Sequence, residues 1–259
     1  MSRPVYLADV SLDIDEIYTL SGEEAYHAVV TKRSKKGELI DIVDGKGRRH
    51  ICEIQQVIGK ELVVQVCDVS VEKKDLISYH LIQALAKSGR DEQAVETCTE
   101  YGVFSIHPWQ ADRSISSWKK KEEKGRNKWV NICVRASKQS RRAHIPQVHS
   151  LKNTKELCSY VQEVVSGGAR VYVCHEEADE YLVPSFMDFL EGMNDDMSVN
   201  VFFIVGPEGG ISSQEIESLS AVGAVPVLLG RHILRSSSAG AYALALACAC
   251  EQVQEKVVK

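Results

Sequence analysis

Short runs of β-branched and aromatic residues alternate along this 259-residue chain with longer stretches whose apolar positions recur at helical spacing. Up to residue 71 the pattern is all short runs, at 39–43, 51–57 and 62–69, broken by turn signals at Asp44-Gly45 and Gly59-Lys60. Strands so closely spaced predict a small β-barrel or sandwich. The charged stretch 72–75 reads as a linker. Beyond it, strand-like runs at 78–85, 103–108, 169–174, 199–205 and 224–229 alternate with helix-like stretches at 91–100, 128–139, 150–165, 212–222 and 236–253. That alternation predicts an α/β domain with a mostly parallel sheet covered on both faces. Ser212 followed by Glu215 predicts a capped helix start. The expected organisation is a β domain over 1–74 and an α/β domain over 75–259.

Composition narrows the class only slightly, since 44% hydrophobic and 26% charged residues are an ordinary globular balance. No run approaches the eighteen or so apolar residues of a membrane span, and the first residues lack a signal-peptide layout, so a cytoplasmic protein without membrane partners is expected. Eight cysteines are scattered without a C-x-x-C pair. Cys248 and Cys250 fall two apart in a helical stretch, on different faces, so free thiols and no metal are expected. The net charge of −5 argues against an indiscriminate polyanion binder but leaves room for a local patch. Basic residues do cluster: Lys32, Arg33, Lys35 and Lys36; Lys46, Arg48 and Arg49; lysines 119–121; and Lys138, Arg141 and Arg142. Acidic residues gather elsewhere, at Glu176, Glu177, Asp179 and Glu180 and at Asp195-Asp196.

Two strand ends carry the candidate chemistry. After 199–205 the chain reads Gly206-Pro207-Glu208-Gly209-Gly210, and after the next strand-like run it reads Leu229-Gly230-Arg231-His232-Ile233-Leu234-Arg235-Ser236-Ser237-Ser238-Ala239. In an α/β sheet the carboxyl ends of strands present backbone to a ligand. Glycines without a Cβ let amides and carbonyls close around something flat and polar. A lone G-P-E-G-G fits a tight strand-to-helix turn equally well. Neither loop contains a G-x-G-x-x-G or a lysine-serine/threonine pair, which argues against an ATP or dinucleotide enzyme.

Taken together, the two strings resemble the signature of the SPOUT class of RNA methyltransferases, specifically the ribosomal RNA small subunit methyltransferase E family. Leu229, Gly230, Ile233, Leu234, Arg235 and Ala239 match its second loop, whereas His232 replaces the usual arginine and Ser237 the usual glutamate. His27, Arg33, Gly37 and Glu38, then Asp44-Gly45-Lys46-Gly47, fit its N-terminal pattern. Residues 84–87, 100–103, Arg113-Ser114 and 136–142 with Pro146 fit its middle blocks, so the likeness covers nearly the whole chain.

The resemblance implies a SPOUT-type trefoil-knot methyltransferase domain preceded by a PUA/OB-like β-barrel. It implies S-adenosyl-L-methionine as cofactor, N3 of a uridine in 16S ribosomal RNA as target, the small ribosomal subunit as partner, and a homodimer through the C-terminal domain. Cofactor-binding residues would be Gly206, Pro207, Glu208, Gly209, Gly210, Leu229, Gly230, Ile233, Leu234, Ser236 and Ser238. Ile233 and Leu234 alternatively serve core packing. Arg235 is the candidate for stabilising charge on the base carbonyls. Glu208 is a candidate general base or, alternatively, a cap on the following helix. RNA contacts would fall to Arg33, Lys36, Arg48, Arg49, Arg113, Arg141 and Arg142. Trp109 and Trp118 fit either base stacking or packing. A non-catalytic RNA-binding or assembly factor is the competing reading, and intact glycine loops favour the enzyme.

Overall fold

The computed structural model describes residues 3–73, 75–193 and 197–257; Lys74, at the expected domain boundary, and the Asp195-Asp196 pair lie outside them. The chain divides into two units, one of Met1–Lys74 with Val134–Ile145, the other of Asp75–Cys133 with Pro146–Lys259.

In the first unit, alternation of inward apolar and outward polar residues builds β1 (Val5–Leu7), β2 (Ile17–Leu20), β3 (Leu39–Val43), β4 (Arg48–Ile58) and β5 (Glu61–Val71). They form one sheet in the order β1-β3-β4-β5-β2, antiparallel except for β1 on β3. Cys52 and Ile54 of β4 and Leu62, Val64 and Val66 of β5 point to a core that Ala25 and Ala28 close from α1 (Gly22–Tyr26) and the π-turn after it. The 134–145 segment belongs here although the sequence pattern placed it in the second domain. Glu72, expected in a linker, explains part of this: its carboxylate accepts from the amides of Ala143 (2.6 Å) and His144 (3.2 Å). Lys138 adds an ion pair to Glu24 at 2.6 Å.

The second unit contains β6 (Ile77–Ala84), α2 (Arg90–Glu100), β7 (Ser105–Gln110), α3 (Glu122–Gln139, its last turns in the first unit), β8 (Gln147–Val148), β9 (Lys152–Asn153) and α4 (Thr154–Ser166). It continues with β10 (Arg170–Cys174), α5 (Leu182–Glu191), β11 (Val199–Val205), α6 (Ser213–Ala221), β12 (Val225–Val227) and α7 (Ser236–Val257). The strands pair in the order β12-β10-β11-β6-β7-β8, with β9 also on β7, every pairing parallel.

Both faces are covered, so β11 is apolar at consecutive positions. Phe202 and Ile204 pack with Leu157 and Val161 of α4 and Leu219 of α6. On the opposite face Phe203 stacks between Tyr79 and Tyr172 at 6.1 and 5.9 Å, near Phe186 of α5. From β11 the chain runs out to the β12 edge and returns as α7, which packs on α2, α5, β6 and β11.

Two elements escape the sequence pattern for identifiable reasons. α5 was hidden by Pro184, which sits in the helix's first turn, where the ring's missing N–H costs nothing. α3 starts at Glu122 rather than 128 because Gly125, which reads as a breaker, serves a close contact: a Cβ there would stand 2.4 Å from the Trp118 ring. Trp118 also meets Trp129 edge-on at 5.1 Å, and Trp109 is fully buried, so both tryptophans are packing residues. Lysines 119–121, expected as a solvated loop, form an exposed 3-10 turn leading into α3.

The amino-terminal end of the sheet buries a polar row. His80 Nε2 donates to Asn200 Oδ1 (3.0 Å), Ser105 Oγ donates to His80 Nδ1 (2.7 Å), and His107 Nε2 donates to Ser105 Oγ (2.9 Å), the one tautomer set that satisfies every pair. His107 Nδ1 is buried without a hydrogen-bond partner among the described residues, and its ring stacks on His149 at 4.0 Å. Burial pushes the His107 pKa down to about 2. The unfolded chain therefore takes up a proton below about pH 6.5 that the folded chain refuses until about pH 2, so stability falls as pH drops through that window. At pH 5 this one group is expected to cost about 2 kcal/mol. Urea midpoints at pH 7 and pH 5 should show the loss, and a His107→Gln variant should lose distinctly less; equal pH slopes would refute the assignment.

Candidate active site

The carboxyl ends of β10, β11 and β12 lie side by side because these strands are neighbours in a parallel sheet. Two adjoining cavities open there. One, of about 140 Å³, is lined by Leu229, Gly230, Ile233 and Leu234 of the second glycine loop together with Cys174, His175 and Glu176 after β10. The other, of about 200 Å³, is lined by Gly206, Pro207 and Gly210 of the first loop, by Arg113, and by Ser236 at the start of α7. Cys174, His175, Glu176, Leu234 and Ala239 line both, so the two loops share one site.

The first loop is shaped by contacts only glycine permits. A Cβ on Gly206 would stand 2.5 Å from Ile211 Cγ1, and Gly210 holds φ +72° in the left-handed region. Gly209 lies against the segment after β7: its carbonyl accepts from Arg113 Nη1 (3.1 Å), and a Cβ there would stand 3.1 Å from Arg113 Cβ. The loop then runs into α6 through a capping box in which Ser212 Oγ accepts from Glu215 N (3.3 Å) while Glu215 Oε2 accepts from Ser212 N (2.9 Å), as the sequence predicted.

Ser236 Oγ lies at the base of the site, buried and without a hydrogen-bond partner among the described residues. A buried hydroxyl left unpaired costs about 1–3 kcal/mol, so a polar ligand atom in the cavity would stabilise the site. Burial pushes the Cys174 thiol up to about 12, which disfavours the thiolate a nucleophile would need.

Several expected residues stand apart from the cavity walls. Glu208 Oε1 accepts from the Lys87 amide (2.8 Å) and pairs with Arg90 (3.4 Å). That engagement gives no geometric support to a general base, and the cap of α6 comes from Ser212 and Glu215 instead. Gly209 and Ser238 line neither cavity, and Ile233 is 77% exposed, which excludes core packing for it. Arg235 is exposed, between Leu234 and Ser236, which both line the site.

Of the expected RNA contacts, Arg33, Lys36, Arg113 and Arg141 are exposed. Arg49 is not: only 14% of its side chain is accessible, and it is held by Asp41 (2.7 Å), Glu72 (3.3 Å) and the Arg141 carbonyl (2.7 Å). Arg48 is half-buried and donates to the Leu12 carbonyl at 3.1 Å, and Arg142 is half-buried too. Among the described residues no group of three or more His, Cys, Asp or Glu is placed to hold a metal ion, and no helix is long and apolar enough to cross a membrane.

A family model described as an RNA methyltransferase domain matches residues 72–248. A Mycobacterium bovis protein named ribosomal RNA small subunit methyltransferase E is 35% identical over 245 residues, 94% of this chain and 90% of that protein. The chain belongs to the ribosomal RNA small subunit methyltransferase E family. A Bacillus subtilis protein of that name is 29% identical over 230 residues, 88% of each chain. Among solved structures, a Legionella pneumophila protein described as a methyltransferase with bound cofactor SAM superposes with a TM-score of 0.80 at 25% identity, covering 96% of this chain and 98% of that one. A Neisseria gonorrhoeae methyltransferase E, solved bound to S-adenosyl methionine, shares the fold with a TM-score of 0.79 at 22% identity, covering 97% and 98%.

Within this methyltransferase E chain, one wall of the site was missed by sequence reasoning: Cys174, His175, Glu176 and Glu177. The signal was present, since 169–174 reads as a strand and ligands gather at strand carboxyl ends. What was missing was the sheet order that puts β10 beside β11.

Proposed function

We propose that this chain binds S-adenosyl-L-methionine between its two glycine loops and methylates N3 of a uridine in 16S ribosomal RNA. The observation that carries the reading is the shared site at the ends of β10, β11 and β12, walled by backbone from both loops and containing the unpaired Ser236 hydroxyl. When bound, the cofactor would supply an electrophilic methyl group. The chain's own part is to present backbone amides and carbonyls of 206–210 and 229–234, to offer Leu234 as an apolar wall, and to exclude water from the site. A uridine N3 is protonated at neutral pH; that proton would pass to solvent water, the exposed Arg235 guanidinium would stabilise the negative charge left on the base carbonyls, and the N3–methyl bond would form as the methyl–sulfur bond breaks, leaving the neutral thioether S-adenosylhomocysteine. Calorimetric titration with S-adenosylmethionine and separately with ATP, followed by mapping of the modified nucleotide in small subunits, tests the reading; binding of ATP alone would overturn it.

The reading extends to architecture and place. Residues 1–74, joined by 134–145, would form a PUA/OB-like barrel that docks RNA, and the rest of 75–259 a SPOUT domain whose course from β11 to the far edge and back as α7 would be threaded as a trefoil knot. The protein would work in the cytoplasm, on ribosomal RNA or the small subunit.

RNA docking would rest on Arg33, Lys36 and Arg141, with Arg113 at the site itself. Arg33 and Arg141 hold left-handed backbones, φ +55° and +60°, a conformation that costs non-glycine residues about 1 kcal/mol and tends to persist at functional positions. Reversing the charge of both is expected to lower the log-log salt slope of RNA binding by about two units. An unchanged slope would place the patch elsewhere.

The reading includes a homodimer through the C-terminal domain, supported by α7, whose outer face exposes Ser238, Tyr242, Ala245, Ala249 and Val253 at helical spacing. Light scattering at micromolar concentration is expected to give twice the 28.8 kDa chain mass. A monomer with full activity would refute it.

A further inference from the structure

We propose that Glu215 is a positioning residue that sets the gap between the first glycine loop and the Asp112-Arg113 segment facing it, an inference that rests on the cofactor reading of that site. Capping boxes open both α4 and α6, and they differ. At α4, Glu156 is exposed and, among the described residues, its carboxylate accepts only from the Asn153 amide, at 2.9 Å. At α6, Glu215 is 1% exposed and accepts four hydrogen bonds from three separate stretches of chain. Its Oε2 takes the Ser212 amide (2.9 Å) and hydroxyl (3.0 Å); its Oε1 takes the Asp112 amide (2.9 Å) and the Thr154 hydroxyl (2.8 Å). Thr154 Oγ1 in turn accepts from Trp109 Nε1 at 3.3 Å, which extends the network into the core.

Burying a carboxylate is expensive, and capping a helix does not require it, as Glu156 shows. What burial adds is reach. Oε2 fixes the residue that follows the glycine loop, and Oε1 fixes the residue before Arg113. Arg113 then donates to the Gly209 carbonyl and lines the cavity, with its own Cβ 3.1 Å from where a Gly209 Cβ would lie. One carboxylate thus holds both sides of the cleft at a fixed separation, and an ionised acceptor satisfied on both oxygens is the strongest available tie.

Three variants separate this role from plain capping. Glu215→Gln keeps the shape but loses an acceptor, Ser212→Ala removes the cap and the longer 3.4 Å hydroxyl contact to Asp112 Oδ2 but leaves Oε1 untouched, and Thr154→Val removes one bond to Oε1 from a folded chain. Hydrogen exchange of the unliganded protein should show the Asp112 amide protected in the wild type and in Ser212→Ala, and unprotected in a fourth variant, Glu215→Ala, which removes both oxygens. Unchanged protection would overturn the tie whether or not any cofactor binds. Titration of the wild type with S-adenosylmethionine tests the underlying reading separately. Given that binding, Glu215→Gln is expected to weaken affinity about tenfold and Thr154→Val about threefold, with Ser212→Ala within twofold of wild type. In an Arg113→Ala background the cost of Glu215→Gln should shrink below about threefold, because the two residues act on one gap. Equal losses from Glu215→Gln and Ser212→Ala, or an undiminished loss in the Arg113→Ala background, would reduce Glu215 to a helix cap.

Discussion

Gly206→Val is expected to abolish S-adenosylmethionine binding, by at least about 100-fold, while leaving the N-terminal unit folded. The first atom added is already excluded, since a Cβ would lie 2.5 Å from Ile211 Cγ1 and Ile211 is 5% exposed within the core. Ile211 cannot yield without opening the cluster it shares with Leu219 and Ile204, so the loop must move instead. The loop is the wall of the cavity. Gly209→Val is expected to be milder, because the nearest approach there is 3.1 Å rather than 2.5 Å and Gly209 lines neither cavity. Backbone approach to a ligand would make the two positions equally sensitive; the contacts rank them. Calorimetry on both variants, with circular dichroism to verify folding, checks the order, and wild-type affinity in Gly206→Val would remove the loop from the site.

This ranking shows where sequence reading stops. A strand buried on both faces writes itself as a consecutive apolar run, so β11 from Val201 to Val205 is legible from residue type alone. The glycine loops are legible for the opposite reason, because a polar, glycine-rich string after such a run has few structural uses. What sequence leaves dark is whatever depends on a distant neighbour. Gly125 and Pro184 each carry a breaker's identity but sit where a ring contact or a first helical turn makes them welcome. Arg49 looks like a free cation among basic residues, yet Asp41, eight positions away on the paired strand, claims it. Glu215 announces a cap by its spacing from Ser212, and nothing in that spacing reveals Asp112 or Thr154. Glu208 sits inside the most informative string of the chain, but its carboxylate turns to Lys87 and Arg90 rather than to the cavity.

Arg235 is where chemistry and binding should come apart. Its backbone carbonyl accepts the amides of Ser238 (2.8 Å) and Ala239 (3.0 Å), so the α7 start is built by main chain and survives loss of the side chain. The guanidinium is exposed and lies outside both cavity walls, while its neighbours Leu234 and Ser236 are part of them. Arg235→Ala is therefore expected to leave cofactor affinity within about twofold and to lower the rate of methyl transfer about 100-fold, the usual cost of removing one donor aimed at developing charge. Arg235→Lys keeps the charge but loses the planar fork that spans a carbonyl, and about a tenfold loss is expected of it. Single-turnover transfer to small subunits at saturating cofactor, set beside direct titration, reads the two quantities independently. A transfer rate within threefold of wild type would free Arg235 of a catalytic role. A loss that vanishes at high RNA concentration would instead make it a phosphate contact, since uniform binding shows in KM and transition-state stabilisation in kcat.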